Sequence, residues 1–168
     1  MASINFLNAK TGEEESLVTS GRNHMLSRAE DIEFYLNFDG CENKDDFRER
    51  IEYMDLDFGE MRNAYKMFID IGTVSLCEYG LCFGFVDADE ESDGYYRFQI
   101  SWGGPSEEVR FYHNGSIEFV YLDWYVGVGF NVNFHPTFGR LLEWFQDLQA
   151  INWDSLEPEQ IEFDEEYI

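Results

Sequence analysis

The alternation of apolar and polar residues is sharpest between Tyr95 and Tyr125, in YYRFQISWGGPSEEVRFYHNGSIEFVYLDWY. Tyr96, Phe98, Ile100 and Trp102 alternate with Tyr95, Arg97, Gln99 and Ser101. Successive side chains of a strand point to opposite faces, so this pattern predicts a strand with one apolar face against a core. Gly103-Gly104-Pro105 ends it. Val109, Phe111 and His113 then alternate with Glu108, Arg110 and Tyr112, and Asn114-Gly115 signals a hairpin turn. A two-residue Asn-Gly loop sets Phe111 against Glu118, an apolar residue against a charge. A three-residue loop, His113-Asn114-Gly115, sets Phe111 against Ile117 and Val109 against Phe119. A slip of one residue flips a whole strand, so the three-residue loop is preferred, with Gly115 left-handed in a bulge. The stretch therefore predicts three consecutive antiparallel strands.

On either side the pattern changes period. Ser3–Leu7 fits a short edge strand with Ile4 and Phe6 on one side, although residues 1–23 as a whole read ambiguously, and Gly12–Glu15 fits an exposed turn. Leu26, Ala29, Ile32 and Leu36 fall near helical spacing within 24–38, with Ser27 as a candidate cap and Glu30 three residues on. Ile32-Glu33-Phe34 also fits a strand; the helix is the preferred reading. Asn43–Met54 predicts a helix capped by Asn43, with Asp45 and Asp46 in its first turn and Phe47, Ile51 and Met54 as its apolar stripe. Gly59–Ile71 predicts another, with Met61, Ala64 or Tyr65, Phe68 and Ile71 inward and Gly72 as its stop. Gly80–Val86 reads as a strand buried on both faces, with Cys82 a small buried hydrophobe. Val126–Phe134 reads as a last strand. Pro136 opens the strongest helix, where Phe138, Leu141, Leu142, Phe145 and Leu148 recur at three and four residues. Trp153, Leu156, Ile161, Phe163 and Ile168 punctuate an acidic tail and imply that it packs in part on the body. The expectation is one α+β domain over residues 1–168: an antiparallel sheet of about four to six strands, with helices mainly on one face.

Charge changes the picture more than composition does. The 168 residues carry 35 Asp and Glu against 11 Lys and Arg, a net charge of −24. Hydrophobic residues at 44% rule against disorder, which needs low hydrophobicity together with high charge. Solubility asks for a net charge of only about 2–8 in a small domain, and the surplus costs stability by self-repulsion. Spread along one surface, it would match roughly a dozen base pairs of duplex, which carries one charge per about 1.7 Å of axis. Direct nucleic-acid binding is thereby disfavoured, and binding to a nucleic-acid-binding protein is favoured. The odd set Cys41, Cys77 and Cys82, without a CxxC, argues for reduced thiols rather than disulfides or zinc. The first residues lack the basic and apolar blocks of a signal peptide, and no apolar run approaches about 20 residues. A cytoplasmic, membrane-free protein is expected.

Catalytic and metal constellations are not legible. Asp89-x-Glu91-x-Asp93-Gly94 echoes an EF-hand start, but the twelfth loop position is Ile100 where a bidentate Glu is needed. His24, His113 and His135 lack ligand spacing and are expected to be surface or partly packed. Gly103-Gly104-Pro105 has no following Lys-Ser or Lys-Thr, so it is no phosphate loop. The expectation is therefore no enzyme, no metal and no cofactor.

What remains is three acidic groups. The first is Asp45, Asp46, Glu49, Glu52, Asp55, Asp57 and Glu60, diluted by Lys44, Arg48 and Arg50. The second is Asp87, Asp89, Glu90, Glu91 and Asp93. The third is Asp154, Glu157, Glu159, Glu162, Asp164, Glu165 and Glu166. Charge runs are usually solvated faces; a pI near 4.1 raises the standing of the alternative, a surface that mimics phosphates.

The segments Ser101–Ser106, Glu108–Phe111 and Leu122–Trp124 form a Ser-Trp-Gly-Gly-Pro-Ser, Glu-x-Arg-Phe, Leu-Asp-Trp series. It resembles uncharacterised small accessory proteins of plasmids and phages. In size and charge the chain also resembles acidic DNA-mimic proteins of the anti-CRISPR and antirestriction type. Those resemblances imply an inhibitor encoded by a mobile element in a bacterial host. Its partner would be a basic nucleic-acid-binding protein or complex, such as a CRISPR effector or restriction enzyme, met through the three acidic groups. The alternatives are an immunity protein neutralising a nuclease toxin, with exposed aromatic anchors, and an acidic protein that binds basic partners loosely.

Overall fold

The computed structural model describes residues 4–9 and 12–163, and the chain divides into two compact units. One takes the residues up to Ala29 and from Gly80 onward; the other is Glu30–Tyr79. The fold class is α+β, as the pattern implied.

The first unit is built on one antiparallel sheet. Strands β1 (Ile4–Leu7), β2 (Cys82–Val86), β3 (Tyr95–Ser101), β4 (Ser106–Tyr112), β5 (Ile117–Asp123) and β6 (Val126–Asn131) lie in the order β1-β6-β5-β4-β3-β2. β2 to β6 form a meander, and β1 adds at the far edge. Phe111 faces Ile117, Val109 faces Phe119, and Gly115 has φ 84°, so the three-residue hairpin loop holds. Cross-strand register lines up Phe83, Phe98, Val109, Phe119 and Phe130 on one face.

Two helices cover that face. In α5 (Pro136–Asp147), Phe145 stacks on Phe83 with ring centroids 4.0 Å apart and meets Phe98 and Phe111 edge-on. Its Phe138 meets Phe119. Each such buried ring contributes about 1.5–3 kcal/mol. The N-terminal part of α1 (Glu14–Phe38) lies on the same face, because a Cβ at Gly21 would fall 2.7 Å from Val128 and 2.8 Å from Phe130. The C-terminal segment follows the sheet through a 3-10 turn (Trp153–Ser155) and α6 (Pro158–Ile161). Trp153 packs on Tyr96 and Phe85, and Ile161 is buried, so this part of the segment lies against the sheet, while Ile168 falls outside the described residues.

The second unit packs the C-terminal part of α1 with α2 (Lys44–Glu52), α3 (Phe58–Ile71) and α4 (Leu76–Tyr79). Its core is Phe34, Phe38, Cys41, Phe47, Phe68 and Val74, with Phe47 stacked at 4.6 Å on both Phe38 and Phe68. Asn43 caps α2 by accepting from the Asp45 and Asp46 N–H groups, as predicted.

Several expectations need correction. α1 begins at Glu14, so Ser27 lies inside the helix and caps nothing. β2 is an edge strand rather than one buried on both faces, and Cys82 is exposed. Trp102 lies beyond the end of β3 and is 75% exposed, because the turn at Gly103 (φ 113°) redirects the chain before the apolar alternation is spent. Ile71 and Leu148 sit at helix ends and are exposed.

Candidate functional site

Two of the three acidic groups meet. The loop between β2 and β3 and the C-terminal segment are joined mainly through main-chain groups. Ala88 N–H donates to Gln160 O at 2.8 Å, and Gly94 N–H to Ile161 O at 2.9 Å. Gln160 Nε2 donates to Asp87 Oδ1 at 2.8 Å, and Phe163 N–H to Asp93 Oδ1 at 3.0 Å. Gly94 is required at the seam: a Cβ there would fall 2.1 Å from the Gln160 carbonyl oxygen. Asp89 closes the loop internally by accepting from the N–H groups of Glu91 and Ser92. The Glu91 N–H, with help from Ser92, outweighs a small burial effect and holds Asp89 below the usual carboxylate value. The loop aspartates thus fasten the ridge, while Glu90, Glu91, Glu157, Glu159 and Glu162 stand exposed on it. Asp164, Glu165 and Glu166 lie outside the described residues.

The remaining acidic group belongs to the second unit and is largely committed to helix chemistry. Asp57 caps α3 in a reciprocal box with Glu60. Asp46 accepts from Asn43 Nδ2 at 2.8 Å, and Asp45 pairs with Arg48 at 3.6 Å. Glu49, Glu52 and Asp55 are exposed. Among the described residues, no group of three or more His, Cys, Asp or Glu is placed to hold a metal ion, and no helix is long and apolar enough to cross a membrane.

Two arrangements are not legible in the charge runs. Glu107 lies on the helix-covered face of the sheet and is 1% exposed. Arg28 Nη2 donates to it at 2.6 Å, Ser101 Oγ at 2.8 Å, and His24 Nδ1 lies 2.7 Å away. Burial pushes its carboxyl up, but the bonds from Arg28, Ser101 and His24 win and hold it below the ordinary value. His24, expected to be surface or partly packed, is partly packed and is also a partner of this buried carboxylate.

The opposite face of the sheet is polar. Arg97 and Arg110 stand directly across from each other on β3 and β4. Arg110 is held by Glu108 at 2.6 Å and lies over the Tyr95 ring at 4.6 Å. Arg97 has no hydrogen-bond or carboxylate partner among the described residues, in a chain with three acids for every base. It lines a pocket of about 370 Å³ together with Tyr95, Gln99, Arg110, Trp102 and Trp124. Trp124 is 79% exposed and has φ 57° in the two-residue turn between Asp123 and Val126. A bulky residue held there costs about 1–3 kcal/mol, where Gly costs nothing. Strand alternation places Arg97, Gln99, Glu108 and Arg110 on this face, a signal readable in the sequence.

Compared with known proteins, the chain matches no family model, no curated protein and no solved structure. The functional reading therefore rests on geometry and charge.

Proposed function

We propose that the protein is an acidic inhibitor of the kind carried by mobile elements, which occupies the basic nucleic-acid groove of a host defence complex in place of DNA or RNA. The observation that supports this reading is the fused ridge. It brings together eight exposed carboxylates: Asp87, Asp89, Glu90, Glu91, Asp93, Glu157, Glu159 and Glu162. Neither 80–96 nor 141–163 contains a Lys or Arg. Hydrogen bonds between loop and tail fix the backbone that carries those carboxylates before any partner arrives, so the two segments need no ordering of their own on binding. The lysines and arginines that normally hold phosphates would meet carboxylates instead, and the field of the whole chain would steer the encounter.

The immunity alternative asks for aromatic anchors within the acidic surface. Trp102 and the acidic loop leave opposite ends of β3, about 20 Å apart at the usual rise per residue, so the most exposed tryptophans lie away from the ridge. The test is competition. Labelled duplex DNA or guide RNA is bound to each of a panel of purified CRISPR effectors and restriction enzymes, and the protein is added in excess. Displacement from at least one complex at low salt, fading toward 1 M salt as the Debye length falls to about 3 Å, is expected. Unchanged occupancy throughout the panel would remove the proposal.

A further inference from the structure

We infer that the pocket on the polar face of the sheet is a binding site for a small molecule that combines a planar ring with an acidic group. This inference does not depend on the acidic ridge.

Three features of the pocket converge. The first is Arg97. Like charges directly opposite across strands destabilise a sheet, and Arg110 stands opposite Arg97. Arg110 is neutralised by Glu108, with Glu118 at 3.9 Å, but Arg97 is not. On its other side Arg97 faces Gly84, so the neighbouring strand places no side chain against it there, and the space over Gly84 is open. A guanidinium left in this state offers a planar fork for a carboxylate or phosphate.

The second feature is the wall. Trp102 and Trp124 reach the same pocket from two different turns, and both are more than 70% exposed. Indole faces left open beside a cation suit a flat ring, by stacking. Trp124 is kept at a left-handed position where Gly is the undemanding choice, and backbone strain of that kind gathers at ligand sites. Its indole also fills the space beside Gly104, where a Cβ would fall 2.9 Å from Nε1. The two turns thus form one wall.

The third feature is charge. Arg97 and Arg110 against Glu108 leave the lining with one net positive charge, inside a chain of −24. A polyanion would be repelled by the chain as a whole, whereas a ligand with one acidic group would be matched. At about 370 Å³ the pocket falls at the small end of ligand sites. An aromatic carboxylate and a nucleoside monophosphate share this chemistry.

Calorimetric titration of the full chain separates them, using adenosine 5′-monophosphate and indole-3-carboxylate as probes, with adenosine, indole and inorganic phosphate as controls. Saturable 1:1 binding at about 1 mM or tighter is expected for at least one probe. The probe that binds identifies the source, nucleotide or carboxylate. Its uncharged control and phosphate alone should each bind about tenfold more weakly or less. Two variants are chosen to fold normally: Arg97→Gln removes a side chain that has no hydrogen-bond or carboxylate partner among the described residues, and Trp124→Gly relaxes a left-handed position. Each should weaken binding about tenfold, with a urea midpoint unchanged or raised, by relief of the Arg97–Arg110 repulsion in one and of the left-handed position in the other. Failure of both probes to bind, equal binding of the controls, or undiminished binding by both variants would overturn the inference.

Discussion

Glu107→Gln should destabilise the protein by about 2–4 kcal/mol at pH 7. The carboxylate is 1% exposed and receives Arg28 through both Nη2 (2.6 Å) and Nε (3.0 Å), as well as Ser101 Oγ. Gln preserves the volume but removes the charge and points an NH₂ at donors. Breaking one side of a fully buried ion pair costs about 3–5 kcal/mol, because the other charge is stranded. The Arg28 side chain keeps 28% of its surface in contact with water, which lowers the figure. Urea unfolding of wild type and variant should show a lower midpoint with an unchanged slope. The loss corresponds to about 4–16 °C in Tm for a chain of this size. The sign with pH follows from the depressed folded-state value of Glu107. Its contribution is complete above the ordinary carboxylate range near 4.5 and is lost as pH falls through the lower folded value. The gap between wild type and variant should therefore narrow on acidification. A gap below about 0.5 kcal/mol at pH 7, the size of an ordinary surface substitution, or one that does not change with pH, would refute the reasoning.

Two further predictions concern the seam and the thiols. Gly94→Ala drives a methyl into the Gln160 carbonyl, so the C-terminal segment should detach. Proteolytic cleavage within 152–163 should accelerate while amide exchange in β4 and β5 stays slow; unchanged cleavage would contradict the seam. Cys41 is buried, and burial, partly offset by Arg50, pushes its thiol up, whereas Cys77 and Cys82 are exposed. A thiol reagent at pH 8 should modify two cysteines quickly and the third only on unfolding.

The elements that were legible in the sequence are those fixed by neighbours in the chain. The Phe111–Ile117 pairing followed because any slip places Glu118 against the core. The Asn43 cap followed because Asn precedes two aspartates. The start of α1 was hidden, since its first turns carry Ser, Thr and Gly21. That glycine is explained only by Val128 and Phe130, which lie more than a hundred residues further on. The position of β2 at the sheet edge was hidden for a related reason, because an apolar run does not declare which strand lies beside it. Both halves of the ridge were visible as charge runs. Their union was not, because half of its bonds join the backbone of Ala88, Gly94, Gln160 and Ile161, and the bonds to Asp87 and Asp93 come from Gln160 and the Phe163 N–H some seventy residues away, which no local pattern marks. The unpaired state of Arg97 was equally invisible until cross-strand register set Arg110 and Gly84 on either side of it.

The most direct measurement compares two charge-neutralised proteins in the competition assay. One carries Glu90→Gln, Glu91→Gln, Glu157→Gln, Glu159→Gln and Glu162→Gln on the ridge. The other carries Glu49→Gln, Glu52→Gln and Asp55→Asn on the helical unit. The ridge variant should lose displacement of nucleic acid by about a hundredfold or more, because several charge pairs disappear together. The helical variant should remain within a few-fold of wild type. Equal activity of the ridge variant and wild type would contradict the account.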